Sequence, residues 1–327
     1  MSTAAATLTN LEQSMRLAQA IRQQVTRAVV GQPDVVDQVL VTLFAAGHVL
    51  VEGLPGLGKT LLIRALAKTF RGKSARIQFT PDLMPSDITG HTMFDMQTGK
   101  FVTRQGPIFT NLLLADEINR APAKTQAAML EVMQERQVSL DGTTTQLPPP
   151  FMTLATQNPF DSEGTYPLPD AQLDRFLLKV LIGYPSRDDE VAMVSRVTKG
   201  EIGDQLLLGG VEQVAEPRDI LAIQRTVASF DVDARVVDYA VRICRATRTW
   251  QGISVGAGPR GGLALVRAAR ANALLDGRDF VTPDDIKAMA LPALRHRMSL
   301  SAELELDGQS HDMVLPAILE TVEAPRL

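Results

Sequence analysis

A glycine-rich loop that ends in lysine and threonine is the strongest chemical signal in the sequence. Residues 53–60 read Gly-Leu-Pro-Gly-Leu-Gly-Lys-Thr, which is the spacing G-x-x-x-x-G-K-[ST] of a phosphate-binding loop. Glycines allow turns that aim backbone N–H groups at phosphate oxygens, and the start of a following helix adds positive partial charge. Because Lys59 can reach the outer phosphates and the Thr60 hydroxyl can bind Mg²⁺, the pattern predicts a site for ATP with Mg²⁺. The positions expected to contact the nucleotide here are Gly53, Pro55, Gly56, Leu57, Gly58, Lys59, Thr60 and Leu61.

Two neighbouring acids form the second candidate group. The apolar run 112–115 is followed directly by Asp116 and Glu117, and buried parallel strands end at the sheet edge where ligands bind. We expect Asp116 to hold Mg²⁺ together with Thr60, and Glu117 to orient or deprotonate an attacking water. A glutamate that activates water favours an ATPase over a kinase, which would transfer the phosphate to a substrate. A role for either acid in capping the next helix stays open and could coexist with catalysis.

The segments that must position these residues alternate between strand and helix. Short apolar runs predict five strands, and helical spacings of apolar residues predict the helices around them. This alternation is typical of an α/β fold with a parallel sheet flanked by helices. The predicted strands are 48–51, 75–79, 112–115, 151–156 and 176–182. The predicted helices are 9–29, 33–44, 59–70 and 124–134.

The pattern changes after Tyr184-Pro185-Ser186. Beyond this point the apolar spacing is helical only, and it predicts a small all-helical domain. We therefore place a domain boundary near Pro185, with an N-terminal helix and the α/β nucleotide-binding domain in 1–185 and the helical domain in 186–327. The helices predicted there are 188–198, 217–229, 234–250, 259–275 and 283–298. Two hairpin-like stretches, 93–102 and 138–147, lie within the first domain, and Asp-Gly in the second favours a tight turn.

Composition narrows the functional class. A length of 327 residues suggests about two domains, and a net charge of −4 disfavours a dedicated nucleic-acid binder. The one cysteine, Cys244, has apolar neighbours that predict a buried helical thiol. The first ten residues lack a signal-peptide pattern and no stretch approaches the ~20 apolar residues of a membrane span, so we expect a cytoplasmic protein. The four histidines lack ligand spacing, which argues against a metal site besides Mg²⁺.

Several motifs together resemble the MoxR family of AAA+ ATPases. The resemblance runs from Val30-Gly31-Gln32 to Pro283-Asp284-Asp285-Ile286, nearly the whole chain, and implies an AAA+ phosphate-loop core followed by a helical lid. Taken singly, only the phosphate loop is specific. The other motifs are Asp-Glu-Ile-Asn-Arg-Ala-Pro at 116–122, Ala-Thr-Gln-Asn-Pro at 155–159, Leu-Asp-Arg-Phe at 173–176 and Gly-Pro-Arg-Gly at 258–261.

The resemblance implies roles for residues outside the loop and the acid pair. Val30 and Gly31 match the segment that lies against the adenine in AAA+ proteins. Asn158 matches the first sensor, whose amide contacts the γ-phosphate and the attacking water; because a proline follows it, a plain turn residue is the alternative. Arg260 matches the second sensor on the lid. Its expected partner is a nucleotide phosphate in the interdomain cleft or, alternatively, a nearby Asp or Glu.

Arg175 matches the arginine finger, which reaches the ATP of a neighbouring subunit. A guanidinium suits this task because it is always charged and forks onto phosphate oxygens. Two alternatives stay open: Arg175 could pair with Asp170 or Asp174 of its own chain, and Arg120 could be the main residue that crosses the interface. A residue that acts on a neighbour implies head-to-tail contacts that close into a ring, and relatives are usually hexamers.

The resemblance also implies what such a ring works on. It implies a chaperone-like machine that remodels, assembles or activates a protein client, in company with a von Willebrand factor A domain protein. The two hairpin-like stretches resemble inserts that face the pore or the partner in relatives, and surface loops closed by local packing are the alternative. Two other functions stay open: a nucleotide-gated binding scaffold with little hydrolysis, and a nucleic-acid-stimulated motor.

Overall fold

The computed structural model describes residues 2–54, 56–97, 99–158, 164–197 and 208–326. In chain order the strands are β1 Val49–Glu52, β2 Ser74–Gln78, β3 Gly90–Asp95, β4 Lys100–Gln105, β5 Leu112–Asp116, β6 Gln137–Leu140, β7 Thr143–Gln146, β8 Met152–Gln157, β9 Leu178–Leu181, β10 Ile253–Val255 and β11 Ser299–Leu300. The helices are α1 Ser2–Ala28, α2 Pro33–Phe44, α3 Lys59–Thr69, α4 Pro85–Thr89, α5 Ala123–Glu135, α6 Asp170–Leu173, α7 Arg187–Val197, α8 Pro217–Ser229, α9 Ala234–Thr249, α10 Pro259–Leu275, α11 Pro283–Leu294, α12 Ala302–Leu306 and α13 His311–Thr321. A short 3₁₀ helix spans Ile118–Arg120.

A parallel sheet lies at the centre of the first part of the chain, with strand order β2-β5-β8-β1-β9 among the described residues. These strands correspond to the five that the apolar runs predict. In a parallel sheet all carboxyl ends lie at one edge, so the residues that follow β1, β5 and β8 meet there. This edge is where the phosphate loop, the acid pair and Asn158 leave the sheet.

Both faces of the sheet are covered, which explains why its strands read as continuous apolar runs. Along β5, Leu112 and Leu114 belong to an apolar cluster that includes α1, α2 and α3. Leu113 and Ala115 belong to a second cluster, which includes α5. Because side chains alternate across a strand, one apolar strand serves two cores and ends in Asp116 at the edge.

The second part of the chain forms a helical lid. Helices α8 to α11 and α13 pack against one another, and α1 packs against α3 in the core and against α8 and α10 in the lid. The first apolar cluster therefore continues from one face of the sheet into the lid without a break. The boundary at Pro185 stays a prediction, because the two parts share this core. No described helix has the length and apolar character to cross a membrane.

The expectation of helices alone after Pro185 was wrong at two short segments. Ile253–Val255 pairs antiparallel with Ser299–Leu300. Segments of two and three residues are too short to show a strand periodicity, so the helical pattern around them hid the pairing. The helix predicted over 283–298 accordingly ends at Leu294.

Both predicted hairpins are present. In the first, β3 pairs with β4, and Phe94 lies opposite Phe101. In the second, β6 pairs with β7 around Asp141 and Gly142, whose φ values of +47° and +81° suit a primed two-residue turn. The rings of Phe94 and Phe101 contact edge to face on an exposed surface.

Candidate nucleotide-binding site

The phosphate loop joins β1 to α3 at the carboxyl edge of the sheet; Pro55 within it lies outside the described residues. Gly56 and Gly58 have φ values of +84° and +81°, the left-handed region that favours glycine. A Cβ at either would meet nothing within 4 Å, so backbone conformation rather than crowding requires glycine. At Gly53 the reason is different, because a Cβ there would come within 2.4 Å of Ile182.

Lys59 and Thr60 are the first two residues of α3, so they lie at the positive end of a helix. Lys59 Nζ donates a hydrogen bond to the Gly53 carbonyl at 2.8 Å, which folds the side chain over the loop. Burial lowers the pKa of Lys59, while the Asp116 and Glu117 carboxylates act in the opposite direction. The ammonium group is therefore close enough to both acids to connect the loop electrostatically with the end of β5.

Thr156 joins the two acids. Its Oγ1 donates to Asp116 Oδ1 at 2.6 Å and accepts from the Glu117 backbone N–H at 2.8 Å. Thr156 lies fully buried on β8, which pairs with β5. One hydroxyl therefore orients the Asp116 carboxylate and holds the turn that follows it. Sequence analysis missed Thr156, although it lies in the quoted motif that contains Asn158.

Glu117 marks a sharp change of chain direction. Its φ is +56°, a left-handed value that is uncommon outside glycine. Glu117 Oε2 accepts a hydrogen bond from Gln78 Nε2 at 2.7 Å and lies 3.2 Å from Arg120 Nε. Both neighbours contact the same carboxylate oxygen. Arg120 therefore has an ionic partner within its own chain.

A basic residue on the edge strand β2 contacts the other acid. Arg76 donates to Asp116 Oδ2 through Nε at 3.1 Å and Nη2 at 2.6 Å, and Nη2 also donates to Gln78 Oε1 at 2.6 Å. Arg76 and Gln78 are two positions apart on one strand, so both face the same side. Sequence analysis missed both, and the only available signal was this polar alternation on a strand next to β5.

The donor set suits Mg²⁺ bound with a nucleotide. Asp116 supplies a carboxylate and Thr60 a hydroxyl, and hard oxygen ligands of this kind are those that Mg²⁺ prefers. Asp116 already interacts with a cationic group, Arg76. Among the residues that the structure describes, no group of three or more His, Cys, Asp or Glu side chains could hold a metal ion. Mg²⁺ in nucleotide sites takes its other ligands from phosphate and water, so these two residues fit it.

Asn158 reaches the same edge of the sheet. It directly follows β8, and the Gly53 backbone N–H donates to the carbonyl of the preceding residue, Gln157, at 3.3 Å. Asn158 is half-buried. The structure thus brings Asn158 next to the start of the phosphate loop, where its predicted sensor role requires it to be.

Val30 and Gly31 lie on the other side of the loop. Gly31 has φ +74°, and a Cβ there would come within 2.8 Å of Asp189. The next residue, Gln32, donates through Nε2 to the Gly183 carbonyl at 2.7 Å. The segment thus packs against the chain that follows β9, whose Ile182 contacts Gly53. This places Val30 and Gly31 beside the loop.

Arg175 and Arg260 lie at the opposite end of the parallel strands from the phosphate loop, where β1 begins. Both line a cavity of about 410 Å³ together with His48, the residue before β1. Gly53, which starts the phosphate loop, follows β1, so the two sites are separated by the length of that strand, about 16 Å at ~3.3 Å per residue. The structure therefore does not bring Arg260 to the phosphate loop of its own chain. This differs from the expectation that Arg260 contacts a nucleotide phosphate in the cleft between the two domains.

Asp174 is the acidic group of this cavity. Its carboxylate lies 3.5 Å from Arg260 Nη1 and accepts from Arg297 Nε at 2.8 Å. The alternative that Arg260 pairs with a nearby acid is thus realised. Arg175 instead donates through Nη1 to the Leu130 carbonyl at 2.8 Å. The Arg260 side chain is 59% exposed, so it can also reach an anion outside the chain.

Comparison with known proteins agrees with this geometry. Residues 48–178 match the family model described as the ATPase family associated with various cellular activities, AAA. Residues 245–318 match the model of the AAA lid domain. The first match contains the loop, both acids and Asn158. The second contains Arg260.

Relatives match along nearly the whole chain. The protein called chaperone MoxR1 of Mycobacterium tuberculosis is 43% identical over 93% of this chain and 81% of its own. An uncharacterized protein, YeaC, of Bacillus subtilis is 45% identical over 93% of both chains. The protein MoxR of Methylorubrum extorquens is 32% identical over 94% of this chain and 95% of its own. A crystal structure of a candidate ATPase from Cytophaga hutchinsonii superimposes with a TM-score of 0.92 and 36% identity, covering all of both chains.

Proposed function

This chain belongs to the MoxR family of AAA+ ATPases and hydrolyses ATP, and we propose that it does so with Mg²⁺ as one subunit of a ring that remodels a protein partner. One observation carries the proposal. The phosphate loop, the acid pair and Asn158 meet at the carboxyl end of the parallel strands, and Arg175 lies at the other end. One edge holds the nucleotide, and the opposite edge of the next subunit completes the site.

Each residue at the nucleotide edge has a distinct role in this proposal. Lys59 and the loop N–H groups bind the phosphates, and Thr60 and Asp116 would hold Mg²⁺, which would neutralise phosphate charge. Glu117 orients the attacking water and accepts its proton. Asn158 donates its amide N–H to the γ-phosphate. Gln78 and Thr156 hold Glu117 in place through the contacts described above.

The two arginines at the far edge act on the neighbouring subunit. Arg175 is the finger, supported by Arg260 from the lid, and Arg120 is the weaker candidate because it pairs with Glu117 of its own chain. Arginine fingers in other phosphoryl-transfer enzymes contribute roughly 10³ to 10⁵ in rate. Because the donating and receiving surfaces differ, the contact is head-to-tail and closes into a ring, which we take to be a hexamer.

The proposed client of the ring is a protein. One relative carries the name chaperone, and the exposed hairpin β3–β4 presents Phe94, Met96 and Phe101 to a partner. Exposed apolar clusters of this kind are typical of interaction sites. A von Willebrand factor A domain protein in the cytoplasm is the partner class we propose.

Phosphate release from Mg²⁺-ATP by purified variants tests the catalytic assignment. Lys59→Ala should lose ATP affinity, because the cationic phosphate contact is removed. Glu117→Gln should bind ATP normally while turnover falls by about 10² to 10⁴, the usual contribution of a general base.

Glu303→Gln provides the matched control, because Glu303 is exposed on α12 of the lid and belongs to neither the phosphate loop nor the strand that ends in the acid pair. Its turnover should equal that of the unchanged protein. Normal turnover in Glu117→Gln would remove the role of Glu117. Tight ATP binding without turnover in the unchanged protein, even with a partner present, would instead indicate a nucleotide-gated scaffold.

A further inference from the structure

An open apolar groove runs between α9 and α10 on the lid. Its volume is about 480 Å³. Val241 and Leu263 on its sides are 44% and 65% exposed, and the buried thiol Cys244 lies at its base. Arg245 and Arg248 line it from α9 and give it a basic rim. Exposed apolar side chains around a concave surface are typical of an interaction site.

The groove adjoins the cavity that holds the two proposed trans arginines. Leu263 lines both. Pro259, the residue before Arg260, also lines the groove. Any surface that approaches Arg260 from outside therefore also approaches the groove.

Helix α7 has an exposed apolar surface that carries the opposite charge. Val191 and Val194, three positions apart on one helical face, are 56% and 64% exposed, and Met193 beside them is 36% exposed. Asp188 and Glu190 in the first turn are exposed acids. Among the described residues, the helix therefore combines an exposed apolar face with a first turn in which three acids outnumber Arg187. The groove combines apolar walls with positive charge.

Helix α7 also lies close to the phosphate loop of its own chain. Asp189 of α7 packs against Gly31. Ile182, five residues before α7 begins, packs against Gly53. If Arg175 and Arg260 of one subunit reach the nucleotide of the next, the groove beside Arg260 faces the α7 of that same neighbour.

We propose that α7 of one subunit docks into the α9–α10 groove of the adjacent subunit. The inference rests on the proposed ring and names the surfaces that join it. The two surfaces lie on different parts of the chain, so the contact is heterologous and repeats around the ring. Apolar contact supplies most of the affinity, and the acids of α7 meeting the basic rim set the orientation.

Cross-linking between two singly substituted proteins tests this contact. Val194→Cys and Leu263→Cys are mixed with ATP and treated with a short bismaleimide, whose spacer joins two thiols several ångströms apart. We expect a covalent dimer that contains one copy of each variant. The parent chain is the control for background, because its Cys244 is buried and burial raises the pKa of that thiol to about 11.

A second cysteine position makes the test specific. Leu306→Cys, on α12, is 88% exposed and lies outside the groove. Mixed with Val194→Cys, it should give several-fold less dimer than Leu263→Cys does. Equal yields from the two positions would overturn the assignment of the groove.

Light scattering on the unchanged protein with ATP distinguishes a failure of the proposed contact from a failure of the proposed ring. An intact ring without the Val194–Leu263 product would overturn this contact and leave the proposed ring in place; the groove would then serve another occupant, such as an acidic client helix. A protein that stays monomeric with ATP would overturn both the ring and the contact.

Charge reversal provides an independent readout. Glu190→Lys or Arg245→Glu alone should weaken assembly by about fivefold, the effect of a charge pair at an interface rim. The double variant should recover part of that loss. Additive weakening in the double variant would exclude an ionic complement between α7 and the groove rim.

Discussion

At the scale of single residues, the hydroxyl of Thr156 is as informative as the acids that it joins. Thr156→Val keeps the shape of the side chain and removes both hydrogen bonds, to Asp116 and from Glu117. We expect ATP turnover to fall by about 10- to 100-fold, the usual effect of losing a group that orients a ligating or catalytic residue. Steady-state phosphate release measures this effect.

Thr153→Val is the matched control on the same strand. Thr153 is also fully buried, and its Oγ1 has no hydrogen-bond partner among the described residues. Its substitution should leave turnover unchanged. If both valine variants lost activity equally, the effect at Thr156 would reflect general disturbance of β8 rather than the orientation of the acids.

His48 is a structural residue whose charge state links stability to pH. Its Nδ1 accepts from the Thr153 backbone N–H at 3.0 Å, and its Nε2 donates to the Met133 carbonyl at 2.9 Å. Both ring nitrogens are therefore used by the neutral form. Burial lowers the pKa of His48 to about 3. His48 is therefore part of the protein core.

The lowered pKa predicts acid sensitivity. Above pH ~6.5 both the folded and unfolded chains have this histidine neutral; as pH falls from ~6.5 towards 3, only the unfolded chain gains the proton. The free energy of unfolding should therefore fall by about 2 kcal/mol between pH 7.5 and 5 from this group alone. Urea unfolding at the two pH values measures the change.

Substitution separates His48 from other titrating groups. His48→Gln should lower stability at pH 7.5 but reduce its dependence on pH, because the titrating group is gone. His91→Gln, at an exposed position on β3, is the matched control for the substitution itself. An unaltered pH dependence in His48→Gln would assign the acid sensitivity to other groups, such as His296, whose pKa burial also lowers.

At the scale of elements, the glycines of the phosphate loop act in two different ways. Gly58→Ala places a side chain at φ +81° in open space, so only local strain of about 1–2 kcal/mol is expected. Gly53→Ala pushes a methyl group into Ile182 and so separates β1 from the chain after β9. We expect Gly58→Ala to weaken ATP affinity and lower Tm by only a few degrees, and Gly53→Ala to lower Tm further.

Nucleotide titration and thermal unfolding of both variants distinguish the two effects. Gly210, which a Cβ would not crowd and whose φ is not positive, serves as the control position for Gly→Ala. Equal loss of Tm in Gly53→Ala and Gly58→Ala would contradict the separation of crowding from backbone conformation.

At the scale of the whole molecule, the length of the strands determines whether the phosphate loop and Arg175 can form one site within a single chain. The phosphate loop and Arg175 lie at opposite edges, so neither can complete the other in one chain. Lys59→Ala and Arg175→Ala should each be nearly inactive alone. Mixed in equal amounts, they should recover about a quarter of full activity, because a quarter of randomly formed head-to-tail interfaces combine an intact loop with an intact arginine.

Phosphate release across mixing ratios, with subunit exchange allowed, measures this recovery. In the matched control, the Lys59→Ala protein is mixed with Arg104→Ala in place of Arg175→Ala. Arg104 is an exposed arginine on β4. The Arg104→Ala protein should be active alone, since the change lies outside the nucleotide site. Activity that never rises above the sum of the two inactive variants would show that Arg175 does not act across an interface.

The sequence alone identified the parts of the site that are contiguous in the chain. The phosphate loop and the strand ending in Asp116 and Glu117 are short segments, and their spacing reflects local backbone geometry that does not depend on distant residues. The five strands of the sheet were predictable for a related reason. Strands buried on both faces must be apolar throughout, as 112–115 is.

Only the tertiary structure decided which separate segments meet. Thr156, Arg76 and Gln78 contact the acids because β8 and β2 flank β5, and strand order is not written in local spacing. The same holds for Arg260, which the packing of the lid places with Arg175 rather than at the phosphate loop. Local pattern specifies each element, whereas the sum of weak contacts over the whole core selects how the elements pack.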